Sequence, residues 1–171
     1  MPGRWTASVL AVSLAVLLLW ARPWYALQTP AIPERVMTLS GTMLPLSGEG
    51  VQRGTLLVFW SLFCSPCLAE IPDIIRLDSM ARQRGIRLML VAMDTDPPAQ
   101  VLAMQQAGAW EFPVTLDRVT RISGLLDIAA IPASVLLDRA GRPVMRRVGT
   151  LQVESVMTAM DMALAHPIQG D

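Results

Sequence analysis

The sequence predicts an α/β protein with a central mixed β-sheet flanked by helices, preceded by an N-terminal hydrophobic anchor helix. Short apolar runs, typical of strands buried on both faces, alternate with helical segments, and this alternation favours parallel strands. Two later strand-like segments are joined by a tight turn, which adds antiparallel strands. The uncharged run Trp5–Ala21 predicts the anchor. A chain of 171 residues suits one domain.

The N-terminal segment has more than one interpretation. The run Trp5–Ala21 lies at the lower end of the roughly 17–25 residues that span a bilayer. A cleaved signal peptide is the alternative, although bulky Trp24 stands where a cleavage site requires a small residue, and a buried helix of the domain is a third. We expect a membrane anchor over residues 1–27, a proline-containing linker over 28–35 and the domain over 36–171. One such anchor would hold the domain on the periplasmic, extracytoplasmic side of the cell inner membrane, where disulfides are permitted.

Local patterns define the elements of the domain. The apolar run "TLLVFW" predicts a buried strand, Gly85 suits the residue that closes a helix, and Pro72 should kink that helix because it lies beyond the first turn. Asp138 and Gly141 suit a tight turn between the last two strands. The predicted elements are a hairpin or edge strand (36–39, 43–46), strands (55–60, 86–93), helices (65–84, 97–109, 118–126), an extended segment (112–116), hairpin strands (134–137, 144–148) and a terminal helix (151–164).

Charge and composition exclude two classes of function. The formal net charge is zero and the basic residues are scattered, so there is no footprint for nucleic acid. All 14 basic residues are arginines, which excludes catalysis through a lysine Schiff base.

The two cysteines, Cys64 and Cys67, follow the strand 55–60 directly. A structural zinc site needs four ligands, and the chain has one histidine, His166, in its C-terminal tail. A c-type haem needs C-x-x-C-H, but Leu68 follows the second cysteine, and copper would require further soft or imidazole ligands. A purely structural disulfide would close a very short loop and gain little entropy.

A redox function explains the position of the pair. Cys64 lies where a strand ends and a helix begins, so free N–H groups and the helix dipole would stabilise its thiolate for attack. Cys67, one turn further on, is placed to resolve a mixed disulfide. Pro66 suits an early helical position. Further along, Pro132 precedes a strand; a cis Ile131–Pro132 bond facing the cysteines would free the backbone of Ile131 to pair with an extended substrate, the alternative being a trans proline that opens the strand.

The stretch "FWSLFCSPCLAEIP" resembles the active-site sequence of thioredoxin-fold proteins of the TlpA, ResA and CcmG type. "AIPASVLLDRAGRPVMRRVGT" is similar to the cis-proline strand and following hairpin of that family, and the resemblance extends over residues 35–165. It implies a thioredoxin-like fold, an N-terminal membrane helix, and reduction of disulfides in partner proteins, often in cytochrome c or oxidase assembly. The matching residues are Phe59, Trp60, Cys64, Pro66, Cys67, Glu70 and Pro72.

The sequence also departs from the family pattern. Phe63 replaces the usual tryptophan before the first cysteine, and Val58 stands where thioredoxins carry a buried aspartate. The acid that follows the central strand in ResA-like proteins aligns with Thr95, so Asp94 and Asp96 are candidates for proton transfer. Asp96 is equally suited to cap the next helix. Glu70 is either a solvated or a structural acid.

These observations predict a thiol–disulfide oxidoreductase that needs no cofactor beyond its own disulfide. Cys64 is the expected nucleophile and Cys67 the resolving thiol, while Ile131 and Pro132 form the edge where substrate docks. A dithiol protein would supply electrons to it, and its substrates would be protein disulfides. A copper metallochaperone and a thioredoxin-like module without redox activity are the alternatives. The expected surroundings of the disulfide are Trp60, Phe63, Ser65, Pro66 and Glu70.

Overall fold

Seven strands and five helices make up the described part of the protein. The computed structural model describes residues 32–118 and 122–165, with backbone alone for residues 163 and 164. The strands are β1 (Arg35–Met37), β2 (Met43–Pro45), β3 (Gly54–Trp60), β4 (Ile86–Ala92), β5 (Val114–Leu116), β6 (Ala133–Asp138) and β7 (Pro143–Val148). The helices are α1 (Ser65–Ala69), α2 (Ile71–Gln83), α3 (Pro98–Ala107), α4 (Ile122–Leu125) and α5 (Val153–Ala165).

The central sheet has the strand order β5-β4-β3-β6-β7. β3 pairs in parallel with β4, and β4 with β5, whereas β6 runs antiparallel to both β3 and β7. The prediction of a mixed sheet flanked by helices is therefore confirmed. Phe59 near the end of β3 pairs with Ala133 at the start of β6. The residues that follow β3 and those that precede β6 thus meet at one edge of the sheet.

Alternate residues of β3 face two hydrophobic cores, as the period of a strand requires. Val58 and Trp60 lie in the first core together with Cys67 and residues of α2, α3 and α5. Leu57 and Phe59 lie in the second core, which residues of α4 and the β1–β2 hairpin complete. Because β3 is buried on both faces, every one of its residues is buried, as its continuous apolar sequence predicts.

The helix predicted over residues 65–84 is divided in two at Glu70. Glu70 ends α1 and also precedes the first residue of α2. Pro72 lies in the first turn of α2, where its missing N–H costs little; within one long helix it would have left the carbonyl of Leu68 without its partner. Gly85, with φ of +70°, closes α2 as predicted.

The remaining segments follow the sequence prediction closely. The antiparallel β1–β2 pair confirms the hairpin alternative, and a turn closed by Gly141 N–H donating to Asp138 O joins β6 and β7. The short helix α4 covers the last part of the predicted segment 118–126.

The predicted anchor and His166 lie outside the described residues, as do residues 28–31 of the predicted linker. None of the helices within residues 32–118 and 122–165 has the length and apolar character needed to cross a membrane.

Candidate active site

The two cysteines form a disulfide at the edge of the sheet where β3 ends. Cys64 is the residue that caps the start of α1, and its Sγ accepts a hydrogen bond from the backbone N–H of Cys67 at 3.3 Å. The S–S distance is 2.01 Å and the two Cα atoms lie 5.2 Å apart. Cys67 is fully buried, whereas Cys64 is partly exposed. The two cysteines therefore differ in exposure, in the direction that the sequence predicts.

Three predicted neighbours of the disulfide lie at the surface. Phe63 is 71% exposed, and Ser65 and Pro66 are exposed as well. Pro66 occupies the first turn of α1, as predicted. The sequence predicts that Trp60 and Phe63 form apolar surroundings for the disulfide, but the ring of Phe63 is exposed to solvent.

Trp60 supplies the buried side of the disulfide's surroundings. Its Nε1–H donates a hydrogen bond to the backbone carbonyl of Cys67 at 3.0 Å. The Trp60 ring meets Trp110 edge-on, with centroids 6.1 Å apart, and Trp110 stacks on Phe112 at 5.5 Å. A line of three aromatic rings thus runs from Cys67 into the first core.

The Ile131–Pro132 peptide bond is cis, as predicted. It precedes β6 at the sheet edge where the disulfide lies, and the carbonyl of Pro132 accepts a hydrogen bond from Gly149 N–H at 2.8 Å. Ile131 is half-buried and contacts both cores. Within residues 32–118 and 122–165, no partner is found for the backbone N–H or carbonyl of Ile131.

Glu70 is a buried acid with one defined partner. It is 5% exposed, and its Oε1 accepts a hydrogen bond from the backbone N–H of Leu151 at 2.5 Å. Burial raises the pKa of the Glu70 carboxyl above its ordinary value; the Leu151 hydrogen bond opposes this rise and the charge of Asp73 adds to it. Of the two interpretations from the sequence, the structural acid fits this geometry, because the side chain ties the α1–α2 junction to the segment before α5.

The two candidate acids after β4 have different environments. Asp94 is exposed. Asp96 is fully buried, and its Oδ1 accepts hydrogen bonds from Ser61 Oγ at 2.8 Å and Leu62 N at 3.0 Å, while Oδ2 accepts from Met93 N at 3.1 Å. No direct contact with a cysteine sulfur is found for either carboxylate among the described residues, and proton transfer by them stays a prediction.

The alternative function predicted for Asp96, capping the next helix, is wrong. Pro97 occupies the capping position of α3 and no side chain caps that helix end. The carboxylate of Asp96 is turned instead toward the loop between β3 and α1, where Ser61 and Leu62 donate to it.

The Redoxin family model matches residues 30–160, which include the whole sheet and both cysteines. The chain belongs to the Redoxin family. One relative of this Redoxin protein is the thiol-disulfide oxidoreductase ResA of Bacillus cereus, 29% identical over 97 residues; the match covers 57% of this chain and 56% of ResA. The sporulation thiol-disulfide oxidoreductase A of Bacillus subtilis is 24% identical over 131 residues, 74% of this chain and 78% of that protein. The crystal structure of StoA from Bacillus subtilis aligns with a TM-score of 0.63 and 25% identity, covering 76% of this chain and 98% of StoA.

Several contacts of this Redoxin site could not be read from the sequence. Ser61 joins Asp96 to the loop before Cys64, and Leu151 is the partner of Glu70. A small polar residue directly after a buried strand is the one sequence signal that points to Ser61. Among the described residues there is no group of three or more His, Cys, Asp or Glu side chains placed to hold a metal ion.

Proposed function

We propose that this protein is a thiol–disulfide oxidoreductase that reduces disulfides in partner proteins. The observation that carries the proposal is the unequal exposure of the two cysteines, because a partly exposed Cys64 can meet a substrate while Cys67 is buried. Two relatives are named thiol-disulfide oxidoreductases, which supports thiol–disulfide exchange as the reaction.

The exchange proceeds through the reduced form of the pair. The Cys64 thiolate attacks one sulfur of a partner disulfide, which forms a mixed disulfide and releases the other partner sulfur as a thiolate that takes up a proton. Cys67 then loses its proton and attacks the Cys64 sulfur, which breaks the mixed disulfide and releases the second partner thiol. The partner gains two electrons, and the protein is left with the Cys64–Cys67 disulfide. A dithiol protein restores the reduced form by the same exchange.

Ile131 and Pro132 provide the docking edge in this proposal. The free backbone groups of Ile131 suit an extended segment of the partner, held beside the disulfide as an added strand. The exposed ring of Phe63 borders the same site and offers apolar contact. A partner of the cytochrome or oxidase maturation type is the substrate class that the family resemblance implies.

The proposed location is the extracytoplasmic face of the inner membrane, with residues 1–27 as the anchor. The uncharged run Trp5–Ala21 supports the anchor, and a redox-active disulfide suits a compartment outside the cytoplasm. We propose no cofactor other than the disulfide itself.

Insulin reduction in the presence of dithiothreitol tests the activity, with Cys64→Ser and Cys67→Ser as a matched pair. Both variants should lose turnover, but only Cys67→Ser should accumulate a mixed disulfide, because it keeps the attacking thiol and lacks the resolving one. Full activity in either variant would contradict the proposal. Trapping of substrate by Cys64→Ser instead would reverse the assignment of the two thiols.

A further inference from the structure

The loop before Cys64 is hydrogen-bonded to a buried carboxylate, that of Asp96. Asp96 lies after β4, 35 residues from Ser61, and is fully buried. Its Oδ1 accepts from the Ser61 hydroxyl and from the Leu62 N–H, at 2.8 and 3.0 Å. Two consecutive residues between the end of β3 and Cys64 are thus joined to one oxygen of one side chain.

Ser61 extends this support to the residue beside the cysteine. Its Oγ accepts a hydrogen bond from Phe63 N–H at 3.1 Å, and its carbonyl accepts from Cys64 N–H at 3.2 Å. The backbone N–H of Leu62 therefore donates to Asp96, and those of Phe63 and Cys64 donate to Ser61, which itself donates to Asp96. Ser61 is itself 4% exposed, so no bulk water replaces these partners.

The donors around Asp96 require a carboxylate rather than an amide. A backbone N–H points at each oxygen, Leu62 N at Oδ1 and Met93 N at Oδ2. An asparagine would have to direct its own N–H at one of these donors, and one buried group would lose its partner. None of the ion pairs found in the described residues involves Asp96, so neutral donors hold it.

We propose that Asp96 is a positioning residue for the Cys64 thiol, acting through Ser61 and the Ser61–Phe63 loop. The inference rests on the proposed function, in which Cys64 attacks. The thiolate of Cys64 would be stabilised by the Cys67 N–H that already points at its sulfur, at 3.3 Å. That hydrogen bond holds only while Cys64 stays at the start of α1, which the anchored loop ensures.

The direction in which Asp96→Asn changes the rate of Cys64 alkylation distinguishes positioning from an effect of charge or of stability alone. If Asp96 positions the loop, Asp96→Asn should loosen it, weaken the stabilisation of the thiolate and slow the reaction of Cys64 with iodoacetamide. If Asp96 acted mainly through its charge, the same substitution would remove a negative neighbour, favour the thiolate and speed the reaction. If Asp96 served only stability, the folded variant would react like the wild type.

The experiment follows Cys64 alkylation in the reduced full chain, in mild detergent, from pH 5 to 9, with peptide mapping. We expect Asp96→Asn to slow labelling at neutral pH by about three- to tenfold, as for partial loss of one hydrogen bond to a charged group, and to move the midpoint of the profile upward. Ser61→Ala should act in the same direction, and the double variant should add little to Asp96→Asn because both interrupt one network.

Asp117→Asn is the matched control. Asp117 is 6% exposed and likewise accepts from a serine side chain and backbone, those of Ser123, and among the described residues no hydrogen bond joins it to the cysteine loop. It should lose stability yet keep the wild-type labelling profile. An unchanged or faster reaction in folded Asp96→Asn, or equal slowing in Asp117→Asn, would overturn the inference. A wild-type Cys64 with no selective reactivity would instead overturn the proposed function, so the two failures are distinguishable.

Discussion

The indole N–H of Trp60 donates a hydrogen bond to the backbone carbonyl of Cys67 at 3.0 Å. The bond joins the last residue of β3 to the first turn of α1, and both partners are fully buried. The same carbonyl, near the end of a helix of five residues, also accepts a hydrogen bond from the backbone N–H of Glu70 at 3.3 Å. Trp60 therefore helps to set the position of the resolving cysteine.

Trp60→Phe should lower the free energy of unfolding of the oxidised protein by about 1–3 kcal/mol, because the buried Cys67 carbonyl loses one of its two donors and the smaller ring leaves a cavity. Urea denaturation followed by circular dichroism measures this change. Trp110→Phe is the control, since it removes the same ring volume in the same aromatic line, and no hydrogen bond from Trp110 Nε1 is found in the described part of the chain. Equal losses in the two variants would show that the Trp60 bond contributes nothing.

Cys64 should react with iodoacetamide before Cys67 in the reduced protein at neutral pH, by about an order of magnitude, because Cys64 is partly exposed and its sulfur accepts an N–H hydrogen bond. Brief alkylation followed by peptide mapping gives the ratio. Labelling in denaturant supplies the control, as both thiols should then react at similar rates. Faster labelling of Cys67 in the folded protein would contradict the assignment.

Glu70→Gln should change how stability depends on pH. Burial raises the pKa of Glu70 above 4.5, so the folded state holds its proton at pH values where the unfolded state has lost it. The stability that this proton contributes is present below pH 4.5 and is lost as the pH rises through the folded pKa. The glutamine side chain of the variant does not titrate and can still accept from Leu151 N–H.

The stability of Glu70→Gln relative to the wild type should therefore rise from pH 4 toward neutral pH, as measured by urea unfolding at each pH. Glu70→Ala is the comparison variant, because it also removes the acceptor for Leu151 and should be less stable than Glu70→Gln throughout. A difference that stays flat with pH, or falls, would be inconsistent with a raised pKa.

The reduction potential should lie nearer the value of about −270 mV known for thioredoxin than the value of about −120 mV known for DsbA. No His or Arg occurs between Thr55 and Ile75, and no ion pair found in the described residues involves residues 61–70. Neither this stretch of sequence nor an ion pair among the described residues supplies a cationic partner of the kind that makes a strong oxidant, so we expect only modest stabilisation of the Cys64 thiolate. Equilibration in dithiothreitol buffers, with alkylation and mass analysis, gives the value. A potential above about −180 mV, the value for protein disulfide isomerase, would contradict the reducing direction.

The native protein should fractionate with membranes and keep its N-terminal residues, because the run Trp5–Ala21 is uncharged and the segment before Leu27 is a poor cleavage site. Membrane fractionation and N-terminal sequencing check this prediction. A mature protein that begins near Leu27 would indicate a cleaved signal peptide instead.

The fold and the position of the thiols could be predicted from the sequence because the signals are local. Continuous apolar runs mark β3 and β4, and the cysteines follow β3 directly. The contacts that hold the site are not local. Asp96 and Ser61 are 35 residues apart, and Glu70 and Leu151 are 81 apart. In the sequence, an aspartate before a proline suits a helix cap equally well. Only the folded structure shows that the β3–α1 loop lies close enough for Ser61 and Leu62 to donate to Asp96 instead.

The aromatic line beside Cys67 should make the oxidation state of the two cysteines detectable by tryptophan fluorescence. The chain has five tryptophans, and only Trp60 and Trp110 lie beyond residue 31. A disulfide can quench the emission of a nearby indole, and Trp60 donates to the Cys67 carbonyl and meets the ring of Trp110 edge-on. Reduction of the disulfide should increase the fluorescence of Trp60 and Trp110 together. Each thiol–disulfide exchange with an electron donor or a substrate could then be followed in real time and without a label.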